Sequence, residues 1–251
     1  MARYSVIVIK FESKTSRVFA IRPQPDARSC GPTCLHALYQ YFGDDVPLKR
    51  VIAETPHLET GGTLAVFLAC HALKRGYRAS IYTYNLQMFD PTWFAPGVDL
   101  RERLHAQRRV KRDARLHAAT GGYLEFLDLG GRLRYKELTR QLLRQILTRG
   151  IPILTGLSAT FLYGTAREVS ATDEFDDVRG EPAGHFVVLT GYDRETRRVM
   201  VNDPMQDNPV AAGHRYPVHA DRLINAILLG IVTYDANLLV IQSGEPPKSL
   251  P

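Results

Sequence analysis

The chain has 251 residues, 45% hydrophobic and 23% charged, which is enough apolar content to bury a core in one domain or two small ones and rules out intrinsic disorder. Its three cysteines, Cys30, Cys34 and Cys70, leave at least one thiol unpaired, argue against a disulfide-built secreted scaffold and are too few for a four-sulfur zinc site. The 32 Lys and Arg against 26 Asp and Glu give +6, a mild excess that identifies no partner by itself.

In chain order, residues 4–9 and 17–21 are β-branched and aromatic around a polar stretch from Glu12 to Ser16, which predicts a hairpin within residues 1–22. Lys10 and Glu12 break the first apolar stretch too early for a secretory signal, and the later one, Leu223 to Thr233, is well short of the roughly 20 residues that span a bilayer. A soluble, cytoplasmic protein without membrane insertion is expected. Cys34, Leu35, Leu38 and Phe42 then recur at helical spacing. With Pro32 suited to a first turn and Gly43 to a stop, they predict a helix starting at or just after Cys30.

A short helix at Pro47–Glu54, a longer one at Thr63–Lys74 and a strand at Tyr77–Tyr84 follow. The aromatic residues of 85–98, Phe89 and, between Pro91 and Pro96, Trp93 and Phe94, fit either packing over a core edge or a substrate wall. Asp99 to Ala119 reads as one helix carrying seven Lys and Arg against three Asp and Glu, net +4. A helix at Tyr135–Thr148 and a buried strand at Ile151–Thr155 come next. Residues 167–181, six acids against two arginines, net −4, read as a mobile acidic loop. The remainder is mostly β: a strand at His185–Tyr192, a turn at Asp193–Arg197, a return strand at Val199–Val201, a helix near His219–Leu229 and a strand at Leu238–Ile241. The expected organisation is one α+β domain over residues 1–244, with an expanded middle segment at 86–180 and a loose tail at 245–251.

The chemistry centres on Cys30. A thiol at the first turn of a helix sees the positive end of the macrodipole and unpaired N–H groups, which favour the thiolate. His185 opens a strand directly after the acidic segment. A five-residue turn at 193–197 would set Tyr192 opposite Arg198 and Val187 opposite Asp203, leaving Asp203 diagonal to His185 on one face. A carboxylate so placed fixes the imidazole's orientation and tautomer and leaves the other nitrogen for the thiol. Gln24, six residues before Cys30, could supply an amide that joins the Cys30 N–H in stabilising an oxyanion. Each residue alone has a bland reading, as a buried cysteine, a structural histidine, a turn aspartate or a loop glutamine; their order suits thiol catalysis. Cys34 reads as core, one turn along the same helix, and Cys70 as a buried bystander. No metal or other cofactor is expected, because nothing near Cys30 and Cys34 supplies a second ligand pair.

The run Gln24-Pro-Asp-Ala-Arg-Ser-Cys-Gly-Pro-Thr-Cys-Leu35, continuing to Tyr41-Phe-Gly43, resembles the catalytic segment of the double-glycine leader peptidases, a bacterial family of papain-like cysteine peptidases. Gly184-His-Phe-Val-Val-Leu-Thr-Gly-Tyr-Asp193 and Val201-Asn-Asp-Pro204 are similar to that family's histidine and aspartate blocks. The resemblance implies a stand-alone papain-like α+β domain, with the cysteine on an N-terminal helical part and the histidine and aspartate on a C-terminal antiparallel sheet. It implies Cys30 as nucleophile, His185 as general base and acid, Asp203 as its orienting partner, Gln24 as oxyanion donor, and a peptide or protein as substrate. Hydrolysis of a peptide or isopeptide bond through an acyl-enzyme is the leading expectation. Transfer of the acyl group to another acceptor, or peptide binding without catalysis on the same scaffold, are the alternatives. The arginines of 99–119 fall on several helix faces, so nucleic-acid binding is not expected.

Overall fold

The computed structural model describes residues 19–58, 61–169, 172 and 174–244. Helix α1 spans Cys30–Phe42 and stops where Gly43 turns left-handed, φ 84°, so that its N–H and that of Asp44 close on the carbonyls of Gln40 and Tyr39. Helices α2, Leu48–Glu54, and α3, Ala65–Lys74, lead through Gly76 into strand β1, Arg78–Thr83. The aromatic stretch that follows is packing: Phe89 is buried, its ring edge-on to Tyr123 at 4.7 Å and to Trp93 and Phe94.

The segment expected as one helix over 99–119 is two, α4 at Leu100–Val110 and α5 at Ala114–Asp128. The break has a local cause. Lys111 is extended, and the Asp113 carboxylate accepts the Leu116 N–H at 2.6 Å, capping a new helix. A short strand β2, Arg132–Arg134, and the Thr139 hydroxyl, which accepts the Leu142 N–H, likewise trim the next helix from the expected Tyr135–Thr148 to α6, Arg140–Leu147.

Strand β3, Ile153–Ser158, runs into a one-turn helix α7, Ala159–Tyr163. The acidic segment folds on itself: β4, Glu168–Val169, pairs with β5, Glu174–Phe175, and Glu168 and Glu181 exchange backbone hydrogen bonds at 2.8 and 3.0 Å. Its charge is partly balanced from within, since Asp176 accepts from the Arg179 backbone and guanidinium. The C-terminal part adds β6, Gly184–Asp193; β7, Arg198–Asn202; β8, Arg215–His219; α8, Ala220–Leu229; and β9, Asn237–Gln242. Neither β8 nor α7 has a counterpart among the sequence expectations. Most of the expected amino-terminal hairpin lies outside the described residues, and Phe19 to Ile21, which are described, form no strand. The expected tail at 245–251 also lies outside them.

The main sheet has seven strands in the order β2-β1-β9-β3-β6-β7-β8, antiparallel except for the β1–β2 pair. Helices cover both faces, and the strands alternate accordingly. On β6, Phe186 and Val188 join the cluster built with α1, α3 and α5, whereas Val187 and Leu189 join the one built with α6 and α8. The α+β class therefore holds, with Cys30 on the helical part and His185 on the antiparallel sheet.

Two adjacent glycines on α5 separate packing from propensity. A Cβ on Gly122 would lie 2.7 Å from Phe67 Cε1 and 2.9 Å from Val66 Cγ1 on α3, whereas one on Gly121 meets nothing within 4 Å. Gly122→Ala should destabilise the protein by about 1–3 kcal/mol through overpacking. Gly121→Ala should stabilise it by up to about 1 kcal/mol through helix propensity. Urea denaturation of the two variants measures both signs.

Candidate active site

The loop before α1 is ordered by one carboxylate. Asp26 accepts the Arg28 N–H at 2.9 Å and the Ser29 hydroxyl at 2.7 Å, and the Ser29 bond is the main reason its carboxyl lies below the usual range. Ser29 makes no side-chain cap to α1: its backbone, φ −94° and ψ 10°, departs from the extended conformation of an N-cap and its hydroxyl turns to Asp26. The first-turn amides of Cys30 and Gly31 therefore keep their N–H groups for other uses, and Pro32 has none. Cys30 is the first helical residue, 8% exposed. At Gly31 a Cβ would lie 2.6 Å from Thr63 Cγ2 and 3.2 Å from both Leu68 and Phe186, so its absence lets α1 seat against α3 and β6. One turn on, the fully buried Cys34 thiol donates to the Phe186 carbonyl at 3.3 Å, and burial pushes it well above the ordinary thiol range.

His185 and Asp203 meet as the strand register requires, by a different route. The hairpin loop has four residues, 194–197, with Arg197 at φ 54°, so Asp193 faces Arg198 and Tyr192 faces Val199. A bulge between Leu189 and Gly191 absorbs the one-residue slip and restores the expected register at Leu189–Val201 and Val188–Asn202. The Asn202 amide occupies the irregularity, donating to the Val188 carbonyl and the Thr190 hydroxyl. His185 Nε2 and Asp203 Oδ1 end 2.8 Å apart, both buried.

The carboxylate of Asp203, with no exposed surface, takes four hydrogen bonds. Beyond His185, Oδ1 accepts the Met205 N–H at 2.9 Å, while Oδ2 accepts the hydroxyls of Tyr163 at 2.8 Å and Tyr216 at 2.6 Å. Burial opposes its charge, but the bond to His185 and these other donors outweigh it and hold the carboxyl below the ordinary range. Burial likewise disfavours the imidazolium, and hydrogen bonds to Asp203 and Cys30 overcome it, raising His185 to about 10. Since Asp203 takes Nε2, Nδ1 is the nitrogen left to face Cys30.

Cys30 and His185 line a cleft of about 400 Å³, with Gly61, Gly62, Gly156 and Gly184 among its walls. Arg28 and Arg115 also line it, as do Glu181 and Pro182 from the end of the acidic segment. So does Asp235, a residue the sequence does not single out. Its buried carboxyl accepts the Ala65 N–H at the start of α3 and the Asn237 amide, and desolvation raises it to about 7. Tyr163 and Tyr216 are the other residues around Asp203 that the sequence does not single out, since nothing in sequence links them to it. Gln24 stands at the Asp203 corner through its backbone, its N–H donating to the Pro204 carbonyl at 2.8 Å. One side-chain N–H bonds the Asp26 carbonyl at 2.9 Å, Oε1 is buried with no partner among the described residues, and Gln24 is not part of the cleft lining.

Residues 123–223 match the Peptidase_C39 like family, a stretch that contains His185 and Asp203 and stops short of Cys30 and Gln24. Among solved structures, the chain is similar to a double glycine motif protease from the AMS/PCAT transporter in complex with the leader peptide, at 14% identity and TM-score 0.43, covering 89% of this chain and 91% of that one. It is also similar to a putative C39-like peptidase from Bacillus anthracis, at 15% and 0.44, covering 90% and 96%. A third is xylellain, a cysteine protease from Xylella fastidiosa, at 14% and 0.41, covering 94% and 87%. No curated protein matches the chain. Cys30 thus stands at a helix N-terminus and His185 on the antiparallel sheet.

The three thiols differ enough to be told apart chemically. Burial raises Cys70 to about 12, and its Sγ contacts the Gly122 carbonyl at 3.5 Å. Iodoacetamide at neutral pH should label Cys30 at least tenfold faster than Cys34 or Cys70, which should react only after unfolding. Peptide mapping of the labelled protein reads the order, and equal labelling of all three would count against a reactive Cys30.

Proposed function

We propose that the chain is a cysteine peptidase or amidase that hydrolyses a peptide or isopeptide bond through Cys30, His185 and Asp203. The observation that carries this reading is the buried His185–Asp203 bond of 2.8 Å in a cleft whose lining includes the Cys30 thiol at a helix N-terminus. The Cys30 thiolate attacks the substrate carbonyl and forms a C–S bond. In this reading the resulting oxyanion is stabilised by the Cys30 N–H, which is not tied up in the helix, and by the Gln24 amide, although Gln24 is not in the cleft lining. As the C–N bond breaks, the His185 imidazolium gives its Nδ1 proton to the leaving amine. Water then attacks the thioester, His185 takes one of its protons, and the carboxylic acid leaves as the thiolate re-forms. Asp203 keeps the ring in the tautomer and orientation both steps need. A thiol nucleophile accompanied by two further free cysteines suits a reducing, cytoplasmic setting.

Turnover of a mixed peptide library, read by mass spectrometry, tests the assignment. Cys30→Ala should abolish cleavage with an unchanged circular dichroism spectrum, and Gln24→Ala should lower kcat by about 10²–10³ with a folded protein. Full cleavage by Cys30→Ala would overturn the nucleophile.

The pH profile tests Asp203 separately. With His185 raised to about 10, the imidazolium persists through neutral pH and the rate should fall only as pH rises through that region. Asp203→Asn removes the charged partner that raises it, so the alkaline limb of kcat/KM should move down toward the ordinary imidazole value of about 6.5. An unmoved limb would deny Asp203 its positioning role.

A further inference from the structure

A second concave site lies at the opposite end of the strand that carries His185. It is a depression of about 390 Å³ lined by Arg140, Gln141 and Arg144 of α6 and by Tyr192, Arg194 and Arg197 of the β6–β7 hairpin. The rise of a strand over the eight residues from His185 to Asp193 puts it roughly 25 Å from the imidazole, outside the catalytic cleft. Four guanidinium groups and no carboxylate form its lining. Of the neighbouring acids, Asp221 reaches Arg140 Nε at 3.3 Å, and Asp193 accepts the N–H groups of Glu195 and Thr196 within its own turn.

Three local features here run against stability, and all bring positive charge to the same place. Arg140 is the first residue of α6, where the helix dipole disfavours a cation. Arg140 and Arg144 stand four apart on one helix face, a repulsive spacing for like charges. Arg197 holds a left-handed backbone, φ 54°, at a turn position that suits glycine. Departures from local preference that converge on one concave surface mark function more often than accident. Arginine's planar fork bonds phosphate oxygens two at a time, and several forks around one depression suit adjacent phosphates better than a single monovalent anion.

We infer that this arginine-lined depression is a binding site for a diphosphate group, free or carried by a nucleotide. Thermal-shift and calorimetric titration of the full chain with inorganic pyrophosphate, with chloride added to matched ionic strength in the control, test it. Saturable binding and a rise in Tm that chloride does not reproduce are expected. Arg144→Gln should weaken binding at least tenfold. Arg197→Gly should also weaken it tenfold or more while raising the Tm of the unliganded protein, because it relieves the left-handed strain; a purely structural arginine would not separate these readouts. A parallel titration with ADP distinguishes the sources: tighter binding than pyrophosphate points to a nucleotide, equal or weaker binding to the free anion. Absence of saturable pyrophosphate binding, affinity unchanged in both variants, or retention of a single-stranded oligonucleotide without pyrophosphate binding would overturn the inference. Peptide cleavage by wild type and variants is independent of the outcome, so this site and the proposed peptidase activity stand or fall separately.

Discussion

A carboxylate with no exposed surface is tolerable only when its lone pairs are taken, and Asp203 satisfies that condition with donors from four parts of the chain. His185 comes from β6, Tyr163 from the end of α7, Tyr216 from β8 and the Met205 N–H from the turn that follows. The backbone adds to this: Asp203 N–H donates to the His214 carbonyl, and the Asp203 carbonyl meets His214 Nδ1. The next residue, Pro204, accepts the Gln24 N–H and so ties the loop leading to Cys30 to the same corner. Burying one charge thus requires the elements around the cleft to arrive in a fixed arrangement. The two tyrosines show what this demands, since burial and the adjacent carboxylate both push their hydroxyls far above the phenolic range and keep them as donors.

The cysteine side of the site depends on what is withheld from it. Ser29 stands at the N-cap position of α1 but its backbone is not extended and its hydroxyl turns to Asp26, so the first turn is left with uncapped amides beside Cys30. Gly31 lets that turn approach Thr63, Leu68 and Phe186 closely, and Cys34 fastens the next turn to β6 through the Phe186 carbonyl. Two thiols one helical turn apart therefore have different fates. Cys34 is sealed in the core and raised by desolvation, while Cys30 borders the cleft that His185 also lines.

Much of this was legible where local chemistry decides the outcome. The α1 boundaries follow from Pro32 and Gly43, and the His185–Asp203 approach follows from counting residues across one hairpin. The count reached the right answer through a compensating pair of irregularities, a shorter loop and a bulge, neither of which leaves a clear mark in Leu-Thr-Gly. The break at Lys111–Asp113 was available in principle, because an aspartate ahead of a fresh apolar spacing signals a helix cap; the continuous basic composition concealed it. Tyr163, Tyr216 and Asp235 were out of reach. Their roles come from contacts across 40, 13 and 170 residues of chain, to Asp203 in the first two cases and to Ala65 in the third, and no spacing rule spans those intervals.

Charge shows the same limit from another side. The basic run 99–119 and the acidic run 167–181 dominate the sequence, yet each is broken up by its own fold. Asp99 and Asp113 cap helices within the basic run, Arg101 pairs with Asp128, and Arg179 returns to Asp176 within the acidic one. A run of charge in sequence supplies its own counterions or splays them over several faces, so it is a weak sign of a charged surface. Arg140 and Arg144 lie fifty or more residues from Arg194 and Arg197 and form no run at all, but α6 packs on β6 and brings them around one depression. The strand that carries His185 near one end thereby sets this positive lining at the other, because a strand's two ends are placed by a single packing decision against the same sheet.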